Sequence, residues 1–151
     1  MAENAVSISR HDYVVLAEFR YQLRRFLEFS ERAARQAGLT PQQHQLLLAL
    51  KGAPAHDHGT IKELAERLRL RPHSIVGLVD RCEQLGLVER RASAFDLRMT
   101  EVHVTSSGEA LLEQLSRAHR DELRRSVDLL HALQSIVGDP GHLEDERGAT
   151  R

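Results

Sequence analysis

The sequence predicts a mainly α-helical chain with one small β-hairpin, a winged helix-turn-helix flanked by a long helix on each side. Three observations predict it. Two short amphipathic segments, one starting at Thr60 and one at Pro72, are joined by a tight turn. Two β-like runs, Leu87–Arg91 and Thr100–Val104, follow them with an irregular stretch between. Long stretches of helical periodicity stand before and after this middle region.

The first helix is expected over about 11–37. Leu16, Phe19, Leu23, Phe26, Leu27, Ser30, Ala33, Ala34 and Ala37 recur at spacings of three and four, arginines and glutamates fill the other side, and Gly38 follows as a stop. Three of the chain's four phenylalanines lie here, more than a small core needs. Thr40-Pro41 starts a second helix, with Thr40 as N-cap and proline in the first turn. It is rich in leucine to about Lys51. Residues 52–59 read as a loop. A third helix opens on the capping box Thr60-Ile61-Lys62-Glu63. The fourth runs from Pro72 to about Leu85, buries Ile75, Leu78, Val79, Cys82 and Leu85, and stops at Gly86. The hairpin carries 92–98 as its long tip. Thr105 or Ser106 caps a last long helix through Leu111, Leu112, Leu115, Ala118, Leu123, Val127, Leu130 and Leu133, ended near Gly138-Asp139-Pro140-Gly141.

Composition limits the function classes. The chain has 151 residues, enough for one domain with a core that needs no disulfide or structural metal. Its longest clear apolar run is Leu46–Leu50, so no membrane-spanning helix is expected. Met1-Ala2-Glu3-Asn4 lacks the start of a secretory signal, and Cys82 is the sole cysteine, so the expected compartment is the cytoplasm. Net charge is −1, but residues 67–98 carry a surplus of +3 and the end from Asp139 onward carries −2. The chain contains no Gly-rich phosphate loop, no nucleophile elbow and no H-E-x-x-H motif, so it is not expected to be an enzyme. His56-Asp57-His58 has metal-binding residue types, but alternate positions in a loop make a poor preformed site. The nine histidines include no i, i+4 pair on one helix, and neither metal nor cofactor is expected.

The resulting organisation is an N-terminal dimerisation helix over 1–37, a winged helix-turn-helix over 38–104, a C-terminal dimerisation helix over 105–137 and a polar tail over 138–151. The long helices have apolar stripes wider than the middle region can cover. They are expected to cover one another in a homodimer through Leu16, Phe19, Leu23, Leu123, Val127 and Leu130. A two-fold dimer would place two recognition helices in successive major grooves of a pseudo-palindromic operator.

Leu39-Thr40-Pro41-Gln42-Gln43, Ile61–Leu68, Leu78-Val79-Asp80-Arg81 and Leu85–Arg90 stand in this order, followed by Asp96-Leu97-Arg98, Val102-His103-Val104-Thr105 and Gly108. From about His11 to Val137 this ordered set resembles the MarR family of bacterial transcription regulators. The last group looks like that family's D-x-R…V-x-L-T-x-x-G wing signature, with Val104 in place of leucine. The resemblance implies dimeric binding to double-stranded DNA, usually repression, relieved by a small ligand or by thiol oxidation. It implies DNA contacts by Arg98 in the minor groove, with Asp96 orienting the wing through Arg98 or Arg81. Arg71, His73, Ser74 and Gly77 would lie at base edges, and Thr60 and Lys62 at phosphates. His44 would face the family's ligand crevice, where a neutral imidazole suits a small aromatic or carboxylate effector or a response to pH. Cys82 lies on an apolar stripe, which favours an inert thiol. Three departures stand out. Gly77 and Leu97 replace frequent arginines, and the family's closing helix is expected to be shortened or missing. A winged module that binds protein instead of DNA is the alternative reading.

Overall fold

A computed structural model of the chain describes residues 8–54 and 57–137. The polar tail expected over 138–151, and His56 of the loop histidines, lie outside the described residues, as does the Leu133 side chain. The elements run α1 (Arg10–Gln36), α2 (Pro41–Lys51), β1 (His58–Thr60), α3 (Ile61–Leu68), α4 (Pro72–Gln84), β2 (Val88–Ala92), β3 (Thr100–Val104), α5 (Ser106–Arg125) and α6 (Val127–Val137). This is the mainly α fold with a small wing that the sequence predicts.

The helix boundaries follow from local chemistry. Thr40 and Gln43 form a reciprocal capping box at α2, and Thr60 and Glu63 form another at α3. Three helices end in the same way. At Gly38, at Gly86 and at Arg69 the chain turns left-handed, and the next residue's N–H bonds back five residues, to Ala34, Cys82 and Ala65 respectively. Two of these stops are glycines. The third is an arginine, φ 56°, at the turn between α3 and α4.

Two expectations are corrected. The 52–59 stretch is not loop throughout, because His58-Gly59-Thr60 pairs antiparallel with β3 and makes the hairpin a three-stranded sheet of order β1-β3-β2. The last long helix is also interrupted. The Ser126 hydroxyl donates to the Glu122 carbonyl, and α5 stops at Arg125 before α6 begins. A serine bonded back to the previous turn accompanies the break, although the same bond at Ser135 leaves α6 continuous.

The described chain forms two compact units, one from residues up to 29 together with those from 120 on, the other from 30 to 119. The winged unit, 30–119, is organised around Ala34, Leu46, Leu47, Leu50, Ile75, Leu78, Val79, Cys82, Val88 and Val102, all essentially excluded from solvent. Each large side chain so buried contributes about 1.5–3 kcal/mol. In the same unit, α5 approaches the strand leading into the wing very closely. Thr105 Oγ1 donates to the Gly86 carbonyl at 2.6 Å and accepts from the Gly108 N–H at 3.1 Å, which also makes Thr105 the α5 cap. A Cβ on Gly108 would lie 2.1 Å from the Leu87 carbonyl oxygen. The Thr-x-x-Gly spacing is thus a steric requirement.

A candidate nucleic-acid interface

Helix α4, the second helix of the helix-turn-helix, has a buried face and an exposed one. Ile75, Leu78, Val79 and Cys82 enter the core, and Arg71, His73, Ser74, Val76 and Arg81 are exposed. Arg71 is the N-cap residue, and its side chain makes no capping bond, so its guanidinium is spare. At Gly77 an added Cβ would stand 3.4 Å from an Arg81 guanidinium nitrogen. The missing side chain therefore makes room for Arg81 to lie back over the helix, which brings a cation beside the position where the family often carries one. Val76 is exposed on the same helix and was not singled out from the sequence. Its signal was available, because 76 falls off the stripe made by 75, 78, 79 and 82.

Thr60 ends β1 and caps α3, joining sheet to helix-turn-helix without a loop. Its hydroxyl and backbone N–H are both engaged by Glu63. Lys62, one position into α3, is exposed.

In the wing, the Arg98 side chain is 91% exposed, and its Nε bonds Asp96 at 3.1 Å. Of the two partners expected for Asp96, the structure selects Arg98. That guanidinium and the Arg98 backbone N–H hold the Asp96 carboxyl below its usual range. The tip is tied at its base by Ser93 N–H to the Met99 carbonyl and Met99 N–H to the Asp96 carbonyl. Phe95 and Leu97, which precede Arg98 on the tip, are also largely exposed, a feature not singled out from the sequence.

Ion pairing redistributes the basic surplus. Arg90 binds Asp80 and Glu83 at 2.6 Å each and so ties β2 to α4. Arg91 pairs with Glu89, and Arg98 with Asp96. All four acids between 67 and 98 are thereby matched. Among the described residues Arg67, Arg69, Arg71 and Arg81 make no ion pair, and all four belong to the helix-turn-helix.

His44 and Cys82 lie away from this surface. His44 is buried, its ring centroid 4.8 Å from that of His119, which bonds Ser30 and the Leu115 carbonyl. Burial, with His119 adding to it, pushes His44 down to about 4. Cys82 is fully buried, and burial pushes its thiol up to about 11.

Comparison with known proteins agrees with this fold. The family model described as MarR family matches residues 37–99. The HTH-type transcriptional repressor MdtR of Bacillus subtilis (strain 168) is 30% identical over 95 residues, 62% of this chain and 58% of that protein. The HTH-type transcriptional regulator YfiV of the same organism is 32% identical over 77 residues, 50% of this chain and 48% of that one. The match thus spans about half the length of these curated relatives. Among solved structures, a MarR family protein from Bacillus stearothermophilus superposes with a TM-score of 0.70 at 18% identity, covering 96% of this chain and 100% of that one. AbsC, a MarR family regulator from Streptomyces coelicolor, gives 0.68 at 20% identity, covering 94% and 98%. A Staphylococcus aureus MepR mutant bound to an oligodeoxyribonucleotide gives 0.62 at 18%, covering 94% and 93%. At these identities the structures speak for the fold. Residues 37–99 thus match the MarR family model, and the chain has the fold of that family's solved structures.

Proposed function

We propose that the chain is a sequence-specific DNA-binding transcriptional regulator, a repressor acting as a homodimer on a pseudo-palindromic operator. The observation that carries this reading is the segregation of charge. The acids of the 67–98 stretch are consumed in ion pairs, leaving Arg67, Arg69, Arg71 and Arg81 on the helix-turn-helix, with Arg98 extended from the wing. Arg71, His73, Ser74 and Val76 would meet base edges, with Gly77 permitting close approach. Lys62 would meet a phosphate beside Thr60, and Arg98, oriented by Asp96, would enter the minor groove. Two copies of α4 need two-fold symmetry, and the exposed Leu16, Leu23, Leu123, Val127 and Leu130, with half-buried Phe19, are the surface we assign to the dimer.

Relief by a small aromatic or carboxylate effector belongs to the same reading, with the buried neutral His44 as its hydrogen-bonding partner. Thiol oxidation is a poor trigger here, since Cys82 is inaccessible. The apolar wing tip, Phe95 and Leu97, favours a second reading in which the winged unit docks on a protein. A mobility shift on the DNA upstream of the chain's own gene, run as a salt series with and without candidate aromatic acids, separates the two. DNA binding that weakens with salt supports the regulator, and no shift at low salt supports the protein-binding module.

A further inference from the structure

The wing sheet carries a second cluster on the face opposite Val102. Alternation along β3 puts Glu101 and His103 on one side, and β1 sets His58 directly across from His103. The two rings stack with centroids 4.6 Å apart, and both aim a nitrogen at the same carboxylate oxygen. His58 Nδ1 lies 3.5 Å and His103 Nε2 3.1 Å from Glu101 Oε2. All three side chains are partly buried, and their donor atoms lie within 4.8 Å of one another. Around a tetrahedral zinc ion, with bonds of about 2.0–2.1 Å, neighbouring donors stand about 3.3 Å apart. Both nitrogen–oxygen separations are already close to that spacing, so only the two ring nitrogens have to approach each other. The buried Ser93 hydroxyl bonds the same carboxylate, an outer contact of the kind that orients a ligating group.

We propose that His58, Glu101 and His103 bind a divalent transition-metal ion of the zinc class through these three atoms, leaving a fourth position for water. Two imidazoles and a carboxylate are a donor set suited to zinc, and neutral imidazole nitrogens are its commonest ligands. The three residues are separate from the proposed DNA contacts. The ion would clamp β1 onto β3 and, because Thr60 ends β1 and caps α3, would stiffen the junction between wing and helix-turn-helix. Sequence spacing could not show this. His58 and His103 meet only through strand pairing, while Asp57 of the loop histidine run turns away to Lys51.

The test reads the ion directly and does not depend on DNA binding. The untagged full chain, stripped with a chelator, is titrated with Co2+ and then with Zn2+. The expected result is one ion per chain, the strong visible absorption of tetrahedral Co2+, its loss on adding Zn2+, and a raised melting midpoint. His103→Gln, His58→Gln and Glu101→Gln should each weaken Co2+ binding by roughly tenfold or more, while His11→Gln leaves it unchanged. Imidazole NMR of the wild-type chain covers the case where a variant misfolds, because Zn2+ should shift the His58 and His103 signals and leave His11 and His131 in place. Absence of tetrahedral absorption, binding that survives loss of both histidines, or shifts confined to other histidines would each overturn the site.

Discussion

In the winged unit Leu46, Leu47, Leu50, Ile75 and Val79 are wholly out of solvent, whereas in the unit built from the outer helices Tyr13, Val14, Leu16, Val127 and Leu130 all stand more than 40% open. The same chemistry has been handled in two ways. Within residues 30–119 α2, α3, α4, the sheet and α5 share one buried core, although Leu48, Val76 and Leu85, the last expected from the sequence to be buried, remain exposed. The outer helices carry more apolar surface than they cover themselves, and exposed apolar area of this kind marks a surface meant for a partner. The dimer proposed above would draw on the second kind of surface, and the variants below are chosen to separate stability from association.

The largest effect is expected where the winged unit is tightest. Gly108→Ala puts a methyl group into the Leu87 carbonyl and should cost on the order of 3 kcal/mol, since neither α5 nor the strand entry can retreat without opening the core. Denaturant unfolding should show a lower midpoint, and an unchanged midpoint would mean the junction is looser than its geometry implies. In the other unit, Phe19→Glu should weaken dimerisation about hundredfold, roughly 3 kcal/mol, while the winged unit keeps its helicity. Sedimentation with circular dichroism checks this. A wild-type chain that is monomeric yet folds cooperatively would remove the contrast altogether.

Two smaller effects sharpen the account of the core. His44 stays neutral in the folded chain down to about pH 4, whereas the unfolded chain takes up that proton near the ordinary 6.5. The group therefore costs nothing above the unfolded value, and stability falls as pH drops from there toward the folded value. Between about pH 7 and about pH 5 the loss should approach 2 kcal/mol, and His44→Phe should flatten it. An unaltered slope in that variant would place the titration elsewhere. Cys82→Ser, which buries a hydroxyl in place of a thiol, should cost about 1–2 kcal/mol and leave peroxide sensitivity unchanged. A serine variant as stable as wild type but newly deaf to peroxide would contradict the buried assignment.

Much of this fold is written in local signals. Thr40, Thr60 and Pro41 mark helix starts, and Gly38 and Gly86 mark stops, because caps and left-handed turns depend on residues close in sequence. Features set by tertiary pairing were not legible. β1 is only three residues long and contains a glycine, and it exists as a strand because β3 lies beside it. The left-handed Arg69 is held by the packing of α3 on α4, and nothing in its side chain announces it. The break at Ser126 carries no local signal either, since Ser135 makes the same bond to the previous turn inside an unbroken α6. On the candidate interface, the exposure of Arg71, His73, Ser74 and Arg98 could be read from periodicity and motif. The cancellation of Arg90 and Arg91 by Asp80, Glu83 and Glu89 could not, since a charge count ignores who meets whom.

The central claim is that the helix-turn-helix and the wing together hold DNA, with Arg98 carrying a large share. The direct measurement is fluorescence anisotropy of a labelled duplex from the gene's upstream region, with wild type and Arg98→Ala compared at two salt concentrations. Wild type should bind and lose affinity as salt rises, and Arg98→Ala should lose about 1–3 kcal/mol per half-site together with its preference for A·T-rich flanks. Equal affinities for the two proteins at both salt concentrations, or no binding by wild type at the lower one, would contradict the account.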